Sequence, residues 1–374
     1  MAFFDALTQG LLIGLGLFYK ALWPILFGVL LTALIETLID HERLADILGG
    51  RDLLTTGKAT AGGIASSACT FGALSITQTL FKKGASAEAS FAFSFASTNL
   101  VIELGILIYA LLGWQFLLAE LIGGFVLISI MYVLVRLTLP KQLFEDARKR
   151  LRQQYEEDPA PVAFSRQVTA DESWSQQLTS REGWSRIAYN YFHTLGKIYK
   201  SALFGFLIAG LIVSFVPPEV WASLFMEPTG LLSITENAVV GVLAGVLSFI
   251  GSIGNVPFAA ALWVSGVSFA GVIACIYADL ISVPILNLWK KFFGWKAALY
   301  IFVIFFSTMV ASAVLMEQLF SVLDWIPPRL SVEGFMSFLE LKVDFTSIMT
   351  VLSLVGTAVL YALVRSASRG DNEA

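Results

Sequence analysis

Long apolar segments recur along the chain, and they constrain its fold more than any other feature of the sequence. A membrane-spanning helix needs about 20 mostly apolar residues, and seven segments meet that requirement: 21–39, 86–112, 115–137, 201–216, 268–289, 297–316 and 345–364. Only 14% of the 374 residues are charged, whereas soluble domains contain about 25%. The sequence therefore predicts an all-α polytopic membrane protein surrounded by lipid bilayer, and it excludes an ordinary soluble enzyme.

The remaining composition narrows the chemistry. A net charge of −4 provides no basic surface for nucleic acid. The two cysteines, Cys69 and Cys275, both lie in apolar segments, so we expect no disulfide framework. Residues 50–58 resemble a phosphate-binding loop only superficially, because the glycine spacing is wrong and Ala59 stands where the motif requires Ser or Thr. We predict no enzymatic activity, no cofactor and no bound metal.

A long polar insert divides the chain into two halves. It runs from Lys141 to Lys200 and contains ten Lys or Arg and eight Asp or Glu residues, including a segment from Glu145 that is expected to form a solvated helix. We predict four parts: a first membrane repeat (1–140), a polar cytoplasmic linker (141–196), a second membrane repeat (197–320), and a final part (321–374) with an external loop, a transmembrane helix and a short cytoplasmic tail.

The two halves repeat each other at a nearly constant spacing. Short motifs recur in the same order with separations of 180 to 182 residues: Gly16-x-x-Tyr19-Lys20 with Gly196-x-x-Tyr199-Lys200, Ser66 and Gly72 with Ser248 and Gly254, Gly84-x-Ser86 with Gly266-x-Ser268, and Gly113-Trp114 with Gly294-Trp295. Internal repeats of this kind are typical of secondary transporters.

Two further apolar segments, 57–81 and 237–264, are unusual because Gly, Ser and Thr cluster in their middle. If both are continuous tilted helices, the halves point the same way and eight of the 24 basic residues lie outside. If both are re-entrant hairpins, the halves are inverted and only three basic residues lie outside. The positive-inside rule favours the inverted arrangement, with the linker and the C-terminus in the cytoplasm.

The preferred fold therefore has two inverted repeats, each with about three transmembrane helices and one re-entrant or broken-helix hairpin, followed by an extra C-terminal transmembrane helix. A hairpin arm of about 11 residues reaches the middle of the bilayer. Non-helical backbone at that depth is tolerated where it lines a cavity. The tip residues are thus candidates for binding a substrate or ion: Ser66, Ser67, Cys69, Thr70 and Gly72 in the first half, and Ser248, Ser252, Gly254 and Asn255 in the second.

Two carboxylates, Glu103 and Asp279, lie well inside predicted spans. Charged groups in a membrane are costly and usually functional. We expect both to face the hairpin tips and to bind a small-molecule or ion substrate, with a proton as one candidate, whereas hydrogen bonding between helices is the alternative. Glu120 lies near a predicted helix start, where an interfacial position accounts for it. Nearby polar residues complete the candidate site: Thr98, Asn99, Ser282 and Asn287.

The segments that contain the hairpin tips and the two carboxylates resemble the bacterial predicted-permease family that includes the organoarsenical efflux permeases of ArsP type. The resemblance covers most of both halves, chiefly 63–114 and 241–295. The family often has Cys-Ser-Cys-Gly at the first tip, and this chain has Cys69-Thr70-Phe71-Gly72, so part of the soft ligand set is missing. Ser75 and Leu100 stand where the family often has proline, while the second tip keeps Gly254-Asn-Val-Pro257.

The resemblance implies a permease of the bacterial inner membrane, often of unassigned substrate. With the repeats, it favours a secondary transporter that exports a small solute by alternating access. A channel that uses the same tips as a filter is one alternative, and a membrane subunit of a multi-component transporter is another. Assembly as a homo-oligomer stays open.

Overall fold

The computed structural model describes residues 2–38, 53–66, 70–157, 178–215, 220, 225, 230–248, 252–329 and 345–370. All regular secondary structure in these ranges is helical. Five helices are long and apolar enough to cross a membrane, and a sixth span is counted if a bent pair of helices is taken together. The protein is therefore a multi-pass helical membrane protein.

The helices follow the same order in both halves. The first half contains α1 (Ala2–Leu38), α2 (Leu53–Ser66), α3 (Thr70–Lys83), α4 (Ala87–Asn99), α5 (Ile102–Leu112) and α6 (Trp114–Thr138). An intervening helix, α7, covers Lys141–Glu157. The second half contains α8 (Arg181–Phe215), α9 (Leu231–Ser248), α10 (Ser252–Val264), α11 (Phe269–Tyr277), a 3₁₀ turn (Ala278–Ile281), α12 (Val283–Phe293) and α13 (Trp295–Val322), and α14 (Phe345–Gly370) follows.

The first helix is longer than its apolar stretch predicts. The span was expected over residues 21–39, but α1 begins at Ala2 and has 37 residues, which corresponds to about 55 Å at 1.5 Å per residue. The hydrocarbon core of a bilayer is only about 30 Å thick. Helix α1 therefore extends beyond one bilayer thickness or crosses at a strong tilt.

The turns that join the helices repeat between the halves. Gly84 and Gly266 have φ values of +122° and +99°, a conformation that favours glycine. Two residues later, Ser86 and Ser268 cap α4 and α11 through hydroxyl groups that accept backbone N–H hydrogen bonds. The spacing of 182 residues in the sequence thus corresponds to the same local backbone in the structure.

The chain doubles back within each unusual apolar segment. Ala59 of α2 and Leu80 of α3 belong to one small buried cluster with Ala85, Ala89 and Phe93. In one continuous helix, these first two residues would be about 32 Å apart. In the second half, Gly241 of α9 packs against the backbone of Gly271 in α11. Helix α10 joins α11 through the turn at Gly266. If α9 and α10 formed one continuous helix, Gly241 would lie too far from this turn to reach Gly271. Both segments are therefore helical hairpins. The residues that connect their arms, 67–69 and 249–251, lie outside the described ranges.

Equivalent long helices of the two halves pack antiparallel. Along α1 and α8, Ser214 donates to the carbonyl of Ala6 at 2.6 Å, and Asn190 donates to Thr37 at 2.9 Å. Helices α6 and α13 show the same relation, since Ser312 bonds the carbonyl of Gly123 at 2.8 Å and Thr138 bonds Tyr300 at 3.0 Å. In each pair, residue numbers rise along one helix as they fall along the other.

Helix α7 forms where a solvated helix was expected, but only one of its faces is exposed, because the other is docked against the membrane helices. Phe144, Ala147 and Leu151 are buried and form an apolar stripe at helical spacing. The guanidinium of Arg148 donates to the carbonyl of Ala85 at 2.7 Å and lies 4.3 Å from the ring centre of Phe81. Helix α8 begins at Arg181, inside the segment predicted as the linker.

Candidate functional site

Asp279 lies at a break in a helix that the sequence itself produces. Pro284 occupies the first turn of α12 and cannot continue the preceding helix. The chain therefore forms a 3₁₀ turn at Ala278–Ile281, and Asp279 is completely buried within it. The carbonyl of Leu280, which the break releases from helical bonding, accepts a hydrogen bond from the indole of Trp289 at 3.0 Å.

Three polar side chains meet at this break and form what we call the hydroxyl–carboxylate triangle: Thr70, Ser252 and Asp279. The Ser252 hydroxyl makes a short hydrogen bond to Asp279 Oδ2. Thr70 Oγ1 lies 3.2 Å from the same oxygen and 2.8 Å from Ser252 Oγ. Thr70 is the first residue of α3 and Ser252 is the first residue of α10. The triangle therefore joins both hairpins to the broken helix.

The number of hydroxyl protons limits how many contacts within the triangle can be hydrogen bonds. Each hydroxyl group carries one proton to donate, so Thr70 and Ser252 can fill only two of the three contacts. A proton on the Asp279 carboxyl group would fill the third. The other carboxyl oxygen, Oδ1, is buried and has no hydrogen-bond partner among the described residues. The triangle is therefore a place where a proton or a polar solute can be accepted.

The electrostatics of the site come from two helix ends. The first N–H groups of a helix have no partner within the helix, and the N-terminal end carries partial positive charge. Helices α3 and α10 both begin at the triangle, so two such ends adjoin the carboxyl group of Asp279. The arrangement can stabilise negative charge on Asp279 or on a solute that takes its hydrogen bonds.

Some other predicted site residues lie on the elements that form the triangle. Asn255 of α10 donates to the carbonyl of Cys275 in α11 at 3.4 Å. Gly254 is buried in the first turn of α10, Gly72 is half-buried in the first turn of α3, and Ser282 is buried at the start of α12. These residues are close in sequence to the members of the triangle.

Other predicted residues are placed elsewhere. The hydroxyl groups of Ser66 and Thr98 bond carbonyl groups within their own helices. Glu103 lies in the first turn of α5, where its backbone packs closely against Gly28 of α1. Asn287 is exposed on α12. Ser67 and Cys69, and the side chain of Ser248, lie outside the described residues.

Asn99 ends α4 at the bend that precedes α5, where the two helix axes differ by 44°. Its side chain is 2% exposed, and both amide atoms lack a hydrogen-bond partner within the described part of the chain. Buried polar groups are nearly always paired. Asn99 is thus a second polar group, besides Oδ1 of Asp279, that is available to a ligand at a helix break.

Sequence reasoning missed Glu120. We expected it at the membrane interface, but its side chain in α6 is only 1% exposed. Gly123 and Gly124 follow it by one helical turn, and they pack against Tyr277 and Leu100. Adjacent glycines in an apolar helix indicate close packing against another helix. That signal was present in the sequence and could have identified this face of α6 as buried. In the described ranges, no group of three His, Cys, Asp or Glu residues is placed to hold a metal ion.

The comparisons with known proteins agree with a membrane protein. Residues 7–318 match the ArsP-type family that is described as a predicted permease. The chain belongs to this family. The permease is also 34% identical over 323 residues to "Putative permease Rv2963" of Mycobacterium tuberculosis. The aligned region covers 86% of this chain and 79% of that protein. No solved structure matches the permease. The family and the apolar helices together establish a membrane transport protein.

Proposed function

We propose that the permease is a secondary transporter of the bacterial inner membrane that exports a small polar solute by alternating access. The observation that carries this proposal is the hydroxyl–carboxylate triangle. One residue of each hairpin contacts the carboxyl group of Asp279 there. A carboxyl group in apolar surroundings is costly and is usually retained for a function. No catalytic step is part of the proposal.

The two halves are inverted repeats in this account. Antiparallel packing of α1 with α8 and of α6 with α13 supports inversion, because equivalent helices of repeats that point the same way would run parallel. Thr70 and Ser252 are also separated by 182 residues, the repeat spacing, and they contact each other. Equivalent residues that touch lie on the axis relating the two halves.

The hairpins enter the membrane from opposite sides and meet near its middle. Their arms have 13 to 18 residues, which gives lengths of about 20–27 Å, shorter than a hydrocarbon core of about 30 Å. The first hairpin opens toward the cytoplasm, with α7 and the linker, and the second opens to the outside. The C-terminus is cytoplasmic, since the positive-inside rule then leaves the fewest basic residues outside.

Transport then follows from exchange of hydrogen bonds at the triangle. A solute that reaches the site from the cytoplasm takes the hydroxyl groups of Thr70 and Ser252 from Asp279. The hairpins then separate on the external side of the site and release the solute. Thr70, Ser252 and Asp279 contact the solute, while Gly254, Asn255 and Ser282 hold the elements in place.

A binding screen followed by flux measurements tests this proposal. The purified permease is screened by thermal shift against anions, metal oxyanions, organoarsenicals and thiol metabolites, and each compound that binds is then tested for uptake into proteoliposomes. We expect saturable flux that Ser252→Ala reduces by about tenfold, the effect of losing one hydrogen bond to a charged group.

Ser129→Ala is the matched control, because Ser129 is exposed and bonds only the carbonyl of Phe125 in its own helix among the described residues. Its flux should equal that of the wild type. Flux that never saturates, or an ohmic single-channel current, would contradict a transporter and favour a pore. Equal flux in Ser252→Ala and the wild type would contradict the proposed site.

A further inference from the structure

Glu120 is a buried carboxyl group to which the transport site described above assigns no role. It lies in the second turn of α6, and its side chain is 1% exposed. Both carboxyl oxygens are buried and lack hydrogen-bond partners among the described residues. An ionised carboxylate in that state would be far costlier than a neutral one. The surroundings of Glu120 therefore favour the neutral, protonated form of its carboxyl group.

The part of α6 that carries Glu120 packs against the broken helix that carries Asp279. Gly123, on the same face of α6 one turn later, packs against the Tyr277 hydroxyl group, which donates to the carbonyl of Ala119 at 3.2 Å. Tyr277 immediately precedes the 3₁₀ turn. The two carboxyl groups thus share one buried region.

The titratable groups on the helices around Glu120 do not offset its charge. Tyr277 of α11 and Asp279 of the 3₁₀ turn are neutral or acidic. On α13, Glu317 accepts a hydrogen bond from the backbone N–H of Ala270 at 2.6 Å. On the adjacent α5, Glu103 packs against α1. The other charged residues of α4, α6, α12 and α13 lie toward the helix ends: Glu88, Arg136, Lys290, Lys291 and Lys296.

Two carboxyl groups in one water-poor region, with no basic side chain placed between them in the described ranges, disfavour ionisation of both at neutral pH. At the triangle, the hydroxyl groups of Thr70 and Ser252 can both donate to Oδ2 of Asp279. Glu120 has no such donor among the described residues. The geometry therefore favours the retained proton on Glu120 and the negative charge on Asp279.

We propose that Glu120 is a second proton-binding residue of the transport pathway and forms a proton-holding pair with Asp279. The pair is neutral with two protons and carries one negative charge with one proton. Loss of one proton to water on either side of the membrane links these states. The assignment of this proton as the ion exchanged for solute rests on the proposed function, whereas proton binding by Glu120 does not.

Infrared difference spectroscopy of the purified full-length permease tests proton binding without a solute. Protonated carboxyl groups have a carbonyl stretching band that ionised groups lack, and selective ¹³C labelling of glutamate shifts only the glutamate bands. We expect a glutamate band at neutral pH that disappears on titration to high pH. Glu120→Gln should remove it, and Glu317→Gln, the matched control, should retain it.

The labelled wild type provides the result even if Glu120→Gln fails to fold. A wild-type spectrum with no protonated glutamate at neutral pH would overturn the proposal, and so would a band that survives in a folded Glu120→Gln variant. A band that NaCl removes at constant pH would assign the pair to a metal cation instead and overturn it too. None of these outcomes affects saturable flux or its loss in Ser252→Ala, so failure here is distinguishable from failure of the proposed function.

Discussion

The two helix breaks of the permease have the same position in the repeat but different chemistry. In the first half, the chain bends between α4 and α5 and leaves the amide of Asn99 buried and unpaired among the described residues. In the second half, a 3₁₀ turn holds Asp279 against the hydroxyl groups of both hairpins. The residue 182 positions before Asp279 is Ser97, which bonds a carbonyl of its own helix.

That difference separates what the fold requires from what the site requires. The turns and caps at Gly84, Ser86, Gly266 and Ser268 are equivalent in both halves, because each half needs the same backbone path. Neither Glu120 nor Asp279 has an acidic residue at the equivalent position of the other half, which is the pattern expected if the proposed transport site is single and central. Substitutions in matched pairs can therefore separate the two kinds of role.

The largest effect should come from the carboxyl group at the second break. Asp279→Asn removes the charge and one acceptor from the triangle, and hydrogen bonds to charged groups contribute about 1.5–3 kcal/mol. We expect solute flux in proteoliposomes to fall by at least about tenfold. The equivalent change in the first half, Ser97→Ala, should leave flux near the wild-type value. Comparable losses in the two variants would show that the breaks are functionally symmetric.

A smaller effect, on stability alone, should follow substitution of the repeated turn glycines. Gly84→Ala and Gly266→Ala place a side chain at positive φ, which costs about 1–2 kcal/mol. We expect both variants to unfold at a lower temperature, by similar amounts, in detergent. Gly57→Ala is the control, since Gly57 lies inside α2 with open space around it and should be neutral or stabilising. A clear difference between the two turn variants would break the equivalence of the halves at these positions.

The smallest effect should come from loss of the contact between α7 and the first half. Arg148 of α7 bonds the carbonyl of Ala85 beside the first turn and lies over Phe81. Arg148→Gln should lower the free energy of unfolding by about 1 kcal/mol, the contribution of one such bond. Lys149→Gln, on the exposed side of the same helix, should have no measurable effect in the same thermal-unfolding assay. Equal effects would mean that α7 stabilises the first half through general charge and not through docking.

The features that follow local rules could be predicted from the sequence. The spacing of 180 to 182 residues located the repeated motifs, and the charge on Asp279 within an apolar span placed it among the site candidates. Pro284 marks the second break in the sequence. Thr70 and Ser252 entered the same set through their position at the hairpin tips. The structure brings these three residues into contact.

The features that depend on packing depth could not be predicted in the same way. Glu120 lies close to a helix start in the sequence, but neighbouring helices cover it. The pattern of α7 was overlooked, although Phe144, Ala147 and Leu151 repeat at helical spacing. The early start of α1 was missed because an apolar window detects lipid contact and not the helix itself. Asn287 lies near Asp279 in sequence but is exposed on α12, since a helix distributes nearby residues over all its faces.

The most direct test of the account measures the sides from which the two hairpins enter the membrane. Single cysteines replace Lys82, at the end of α3, and Val264, at the end of α10, in a chain whose Cys69 and Cys275 are changed to serine. Intact cells are treated with a membrane-impermeant thiol reagent, with cysteines at Lys149 and Asp324 as markers of the two sides. We expect labelling at position 264 together with the external marker, and protection at position 82 until the cells are opened. Labelling of both positions from the same side would contradict the inverted arrangement and, with it, the meeting of the two hairpins at Asp279 from opposite sides.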